Sequence, residues 1–177
     1  EDLFEGPWHV VANLPYNVGT ALFTGWLSGE PWPPQWRSLT LMFQEEVARR
    51  IVAEPDTSAY GRLAVLAQWR STAKLAMKVH RSAFTPPPKV MSEVVCLDPL
   101  PAEQRLEPAL AKGVEGLLRR CFAARRKMLR NTLGGLMAPE ALEGLAAEAA
   151  ITLQQRPQEL APERWVALAA GLNRLTA

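Results

Sequence analysis

Trp8-His9-Val10-Val11-Ala12-Asn13-Leu14-Pro15-Tyr16 is the stretch on which the fold turns. The run from Trp8 to Ala12 is rich in β-formers, and Pro15, which has no backbone N–H to give, cannot continue a central strand. A strand feeding a loop is predicted, with Asn13, Leu14, Pro15 and Tyr16 at its carboxyl end. Outward from there, Thr20 to Leu27 has the apolar spacing of a helix, broken by Gly29-Glu-Pro-Trp-Pro-Pro34. Ser38 to Phe43 predicts a second buried strand. It runs into a helix from about Gln44 to Val52, whose acids Glu45 and Glu46 precede its bases Arg49 and Arg50 as the helix dipole favours. A further helix is predicted over Arg62 to Trp69. Two strands, Ala73 to His80 and Ser92 to Asp98, bracket the turn Phe84-Thr-Pro-Pro-Pro-Lys89. Strand and helix alternate and then two strands follow in succession, so residues 1–100 are expected to form the later half of an α/β sheet domain with an antiparallel end.

Leu100-Pro-Ala-Glu103 reads as a linker, and residues 101–177 read as a small all-α domain. Val114, Leu117, Leu118, Cys121, Phe122, Met128, Leu129, Leu133 and Leu136 recur at three and four, which predicts one helix with a single buried stripe, ended by Gly134-Gly135. On that helix Arg119, Arg120, Arg126, Lys127 and Arg130 share the opposite face. Pro139 and Pro162 occupy first-turn positions of two further helices, Glu140 to Ala149 and Glu163 to Leu175.

With 48% apolar and 21% charged side chains in 177 residues, the chain has a globular composition. Its longest apolar runs, such as Leu63 to Ala67, fall far short of the ~18 residues of a membrane span, and the acidic start Glu1-Asp2 is unlike a signal peptide; a cytoplasmic protein is expected. Cys96 and Cys121 form no C-x-x-C and read as buried thiols, and His9 and His80 have no metal-ligand partner at useful spacing, so no metal is expected. The net charge of +2 conceals an imbalance. Residues 1–100 hold nine Lys/Arg against ten Asp/Glu, whereas 101–177 hold eleven against eight. Six of the eleven (Arg119, Arg120, Arg125, Arg126, Lys127 and Arg130) fall within twelve residues that contain no acid, a local field that suits a polyanion.

Asn13-Leu14-Pro15-Tyr16 also carries chemistry. The pattern Asn/Asp-Pro/Leu-Pro-Tyr/Phe at a strand's carboxyl end resembles the catalytic loop of S-adenosylmethionine-dependent methyltransferases that act on exocyclic amino nitrogens. The lone pair of adenine N6 is delocalised into the ring. Acceptors that hold both N–H hydrogens draw the nitrogen towards a pyramid and free that lone pair. The Asn13 side-chain oxygen and the Leu14 or Pro15 carbonyl are suitable acceptors, and Tyr16 would stack on a base taken out of its helix. A plain strand-ending turn is the competing reading of the tetrapeptide.

Asn17-Val-Gly-Thr20, Ala59-Tyr-Gly-Arg-Leu63, Ser82-Ala-Phe-Thr-Pro-Pro-Pro-Lys-Val90 with Ser92, and Phe122-Ala-Ala-Arg-Arg-Lys-Met-Leu-Arg-Asn131 follow in order. Together with Asn13 to Tyr16, this set resembles the ribosomal RNA adenine N6,N6-dimethyltransferases of the KsgA/RsmA type over nearly the whole chain. The resemblance implies a Rossmann-like methyltransferase sheet domain followed by a helical RNA-binding domain, and S-adenosylmethionine as methyl donor. It also implies dimethylation of two neighbouring adenines near the 3′ end of small-subunit rRNA, with the 30S subunit as partner. It assigns Asn13, Leu14, Pro15, Tyr16 and Phe84 to the catalytic site, with Asn13 and Leu14 beside the cofactor, and Arg119, Arg120, Arg126, Lys127 and Arg130 to RNA. The family's Gly-rich cofactor loop is expected ahead of residue 1, so this chain alone is not expected to bind cofactor tightly or turn over. An erythromycin-resistance-type enzyme acting on large-subunit RNA and a non-catalytic ribosome-assembly module remain as alternatives.

Overall fold

The structure, a computed structural model, describes residues 7–15, 18–28, 34–101 and 108–176. The chain divides into two compact units, Glu1–Val52 with Leu66–Arg105, and Ala53–Val65 with Leu106–Ala177.

The first unit is a four-stranded sheet in the order β1-β2-β4-β3, built from β1 (Trp8–Asn13), β2 (Trp36–Gln44), β3 (Ser71–Val79) and β4 (Ser92–Pro99). β1 and β2 are parallel, joined through α1 (Gly19–Ser28); β4 runs antiparallel to both β2 and β3. This is the predicted α/β pattern with an antiparallel end. Alternation in β2 sends Leu39, Leu41 and Phe43 into the core, where Val95 and Leu97 of β4 join them. Phe23 of α1 meets Phe43 edge-on at 5.4 Å, a pairing worth about 0.5–1.5 kcal/mol beyond its buried area. α2 (Glu45–Ile51) buries Ala48 and Ile51, and α3 (Arg62–Gln68) leads back into β3. Buried Arg70 donates to the carbonyl of Leu27 at 3.1 Å, satisfying an acceptor in the last turn of α1. The sheet's other face, with Ser38, Thr40, Met42, Val94 and Cys96, is only half-buried. Cys96 is therefore not the fully buried thiol expected from sequence.

β3 contains a bulge. Leu75 lies opposite Val95 and Met77 opposite Val94, leaving Ala76 as an extra residue. Lysines four apart on a regular strand share one face. Here Lys74 is opposite Cys96 and Lys78 opposite Glu93, three residues apart on β4, so the bulge sends the two lysines to opposite faces.

The second unit contains α4 (Pro108–Phe122), α5 (Leu129–Leu133), α6 (Pro139–Glu148) and α7 (Pro162–Thr176). Its core holds Val114, Leu117, Leu118 and Cys121 of α4, Leu142 and Leu145 of α6, and Trp165, Leu168 and Ala169 of α7. Pro139 and Pro162 start their helices as expected. Cys121 is buried, which raises the pKa of its thiol, and the Thr132 hydroxyl donates to its sulfur. Ala53–Val65 belongs with these helices, which residue 100 as a boundary does not capture. Its Tyr60 is fully buried, donates to the carbonyl of Leu160 at 2.6 Å, and sets its ring against Phe122 at 6.5 Å.

The long helix expected through residue 136 is not formed. α4 stops at Phe122, a turn covers 123–128, and α5 is a separate five-residue helix. The cause is tertiary: the amides of Leu129 and Arg130 donate to the carbonyls of Gln155 and Leu153 at 2.8 and 2.9 Å, bonds that a continuous helix would have spent internally. Gly135, at φ 81°, follows α5 in the left-handed conformation that favours glycine.

Candidate functional site

Asn13 ends β1 opposite Met42 of β2, and its side chain is exposed. Leu14 turns inward, only 6% exposed, while Pro15 lies at the surface. The Pro15 carbonyl accepts the amides of Val18 at 3.1 Å and Gly19 at 2.8 Å, opening α1. It is thus spent on the helix start and is not the unpaired acceptor expected from sequence, which leaves the Leu14 carbonyl as the other candidate. Tyr16 lies outside the described residues.

Leu14, Pro15, Gly19, Thr20, Phe43, Gln44 and Val47 enclose a cavity of about 10 Å³ beneath the loop, room for a single water at most. The floor of the site is therefore packed. Gly19 makes that packing possible: a Cβ added there would stand 3.1 Å from the Leu14 Cβ and 3.7 Å from the Phe43 ring. Gly19→Ala is expected to displace Leu14 by a few tenths of an ångström and to cost about 1–3 kcal/mol, measured by urea unfolding. An unchanged unfolding midpoint would mean the loop yields freely.

Phe84 is half-buried in the connection between β3 and β4. His80 organises that connection: its Nδ1 accepts the Ser82 amide at 3.2 Å and its carbonyl accepts the Ala83 amide at 3.0 Å. The Phe84 amide then donates to the Arg81 carbonyl at 3.3 Å. His9 has a local partner as well, with its Nδ1 2.6 Å from the Ser38 hydroxyl. Register puts the Phe84 loop and the Asn13 loop at one end of the sheet, since Asn13 is level with Met42, and Gln44 with Ser92. Two to three strand spacings, about 10–14 Å, separate their backbones, a gap that side chains and a purine can fill.

Two features of this end were not anticipated. Between Asp56 and Glu93 the chain carries six Lys/Arg and no acid, so the Phe84 loop is basic as well. Glu93, 2% exposed, lies 3.7 Å from both Arg49 and Lys78, and the same two cations approach Glu45 at 2.7 and 3.3 Å. The bonded Lys78 ammonium holds the Glu45 carboxyl below its ordinary pKa. The signal for Glu93 was its parity: it stands two residues before Val95 and four before Leu97, on the core side of β4.

The basic cluster is not one helix face. Arg119 is exposed on α4, Arg126 and Lys127 stand on the turn, and Arg130 is exposed on α5. Arg120 is instead committed to the fold. Its Nε donates to the Thr132 carbonyl and its Nη2 to that of Gly134 at 2.9 Å, closing the end of α5. Arg125 reaches the Ser58 carbonyl at 3.4 Å. Among the described residues no three metal-ligating side chains cluster, and no helix is long and apolar enough to cross a membrane.

Residues 3–174 match the family model for ribosomal RNA adenine dimethylase. The chain belongs to that family. It is 58% identical over 174 residues to the ribosomal RNA small subunit methyltransferase A of Novosphingobium aromaticivorans, covering 98% of this chain and 62% of the relative. It is 59% identical to the protein of that name from Erythrobacter litoralis, covering 97% of this chain and 59% of the relative. The chain thus spans less than two thirds of the length of these methyltransferase relatives. Among solved structures, a dimethyladenosine transferase from Plasmodium falciparum shares the fold with a TM-score of 0.77 at 24% identity, over 98% of this chain and 70% of that one. The 23S rRNA methyltransferase ErmE is similar with a TM-score of 0.69 at 25% identity, over 98% of this chain and 68% of that one.

Proposed function

We propose that this adenine dimethylase chain is the catalytic-loop and RNA-binding portion of a cytoplasmic S-adenosylmethionine-dependent enzyme that dimethylates N6 of two adjacent adenines near the 3′ end of small-subunit rRNA, on the 30S particle. The observation that carries this reading is the presentation of Asn13-Leu14-Pro15 at the carboxyl end of β1, the end at which open α/β sheets take their ligands. The name of the relatives, ribosomal RNA small subunit methyltransferase A, supports the small subunit as substrate.

The residues present fit the methyl-donor end of S-adenosylmethionine, because Asn13 is exposed at that edge and its side-chain amide offers both a donor and an acceptor there. S-Adenosylmethionine supplies an electrophilic sulfonium methyl; Asn13 and Leu14 would hold it there. The Asn13 side-chain oxygen and the Leu14 carbonyl accept the two N6–H hydrogens and localise the nitrogen lone pair. Tyr16 and Phe84 stack on the base, which offsets its lost stacking by about 1–3 kcal/mol per ring. Catalysis comes from position and fixed dipoles, with no strong base required.

The test is methyl transfer by a protein of the relatives' full length that carries this chain, with 30S particles lacking the modification as substrate and 50S particles as control. Dimethyladenosine in the 30S RNA is expected. Label in the 50S RNA alone would replace this reading with the large-subunit one, and label in neither would leave a non-catalytic RNA-binding role.

Arg119, Arg126, Lys127 and Arg130 are the phosphate-binding set in this reading, without Arg120. Exchanging Arg126 and Lys127 for Gln is expected to flatten the slope of log K against log salt by about 0.7–0.9 per lost contact, equally for any RNA sequence. Binding measured over a salt series reads this directly. Unchanged slope and affinity would mean that these side chains are only solvated.

A further inference from the structure

We propose that Lys78, Glu93, Arg49 and Glu45 form an ionic clamp that fixes both ends of the loop 80–91 and so sets the position of Phe84. Lys78 and Glu93 are then positioning residues. That Phe84 covers a base rests on the adenine-methylating reading; the clamp rests on geometry within the sheet unit.

Lys78 stands two residues before the loop and Glu93 two residues after it, directly opposite each other across β3 and β4. The loop carries three successive prolines, which stiffen it, so the direction in which it leaves the sheet decides where Phe84 stands. Its ends are held in two ways. The Glu45 amide donates to the Met91 carbonyl at 3.0 Å, and the Lys78 ammonium reaches Glu45 at 3.3 Å and Glu93 at 3.7 Å. Arg49 completes the arrangement at 2.7 Å from Glu45 and 3.7 Å from Glu93, so each acid faces both bases.

Two observations argue against a chance surface pairing. Glu93 is buried, and one of its oxygens, Oε2, has no hydrogen-bond partner among the described residues; a carboxylate in such a place depends on nearby cations. The bulge at Ala76 is what turns Lys78 to the face of β3 that looks towards Glu93 and α2. Bulges recur beside active sites, where they re-aim a side chain. A regular β3 would leave Lys78 on the face of Lys74, away from both acids.

The test uses Lys78→Met and Lys78→Arg in the full-length protein, with hydrogen exchange at the amides of Glu45, Ala83 and Phe84 alongside kcat and KM for methyl transfer. Lys78 is 59% exposed at its side chain, so neither change should unfold the sheet. Lys78→Met is expected to speed exchange at these amides about fivefold and to lower kcat by a similar factor. KM for RNA should stay within about twofold of wild type, because the RNA contacts are untouched. Lys78→Arg, which keeps a cation within reach of both carboxylates, should restore both. Glu93→Gln is the second variant and should act as Lys78→Met does. Exchange unchanged in both Lys78→Met and Glu93→Gln overturns the clamp, and faster exchange with kcat unchanged overturns its positioning role. A wild type without methyl transfer sinks the functional reading instead, and exchange still decides whether the ion network holds the loop.

Discussion

On the proposed reading, Asn13→Ala in the full-length protein is expected to lower methyl transfer about 10²–10³-fold, the usual loss when one preorganised polar contact to a transition state is removed. The Asn13 side chain is exposed at the end of β1 and contributes little to the core, so folding stability should move by no more than about 0.5 kcal/mol. RNA affinity should also hold, since the basic side chains are elsewhere in the chain. Asn13→Asp keeps an acceptor oxygen in place and should be the milder change. Single-turnover methyl incorporation with saturating RNA separates the chemical step from binding. An Ala variant that keeps more than about a third of the wild-type rate would take Asn13 out of the reaction.

Trp165→Ala is the largest stability loss expected. Trp165 is fully buried in the helical unit, with its ring 5.6 Å from Phe122, which in turn packs on Tyr60. Deleting such a side chain costs about 3–5 kcal/mol, a large part of the 5–15 kcal/mol that holds a typical domain together. Trp165→Phe should cost far less. The indole Nε1 faces the Tyr60 hydroxyl, so Phe gives up ring volume and that polar contact but keeps an aromatic ring in the core. Urea unfolding of the three proteins orders them. Equal losses for Ala and Phe would mean that a phenyl ring does not fill any of the space the indole holds.

The sheet was readable because its signals are local: the alternation of Leu39, Leu41 and Phe43, the stop at Pro15, and the Pro-rich turn before β4. The end of α4 was not, since apolar spacing runs unbroken past Phe122 and the bonds that stop the helix go to Leu153 and Gln155. Arg120 looked like one base among several for a similar reason. Its partners are carbonyls twelve and fourteen residues further along the chain, and composition says nothing about them. Asn13, Leu14 and Pro15 could be put forward as a candidate site because they are contiguous, and β1 ends at Asn13 where the sequence predicts the strand to stop. Residues that come together only across strands, as Lys78 and Glu93 do, were hidden, because nothing in Lys74-Leu-Ala-Met-Lys78 announces that one residue is extra.

The assignment of Ala53–Val65 to the helical unit has a bearing on how that unit could be inherited or transplanted. Helices 108–176 are stitched to an excursion that leaves the sheet domain after Val52 and rejoins it at Leu66, and Tyr60 on that excursion is bonded to Leu160, a hundred residues downstream. A crossover near residue 100 between two relatives would therefore join one parent's Tyr60 to the other parent's Leu160 and Phe122. The helical unit is not a cassette with one seam. Chimeras meant to exchange the helical unit need both stretches from the same parent, and shuffling at residue 100 alone selects only those pairs whose two halves already agree about the shape of that buried contact.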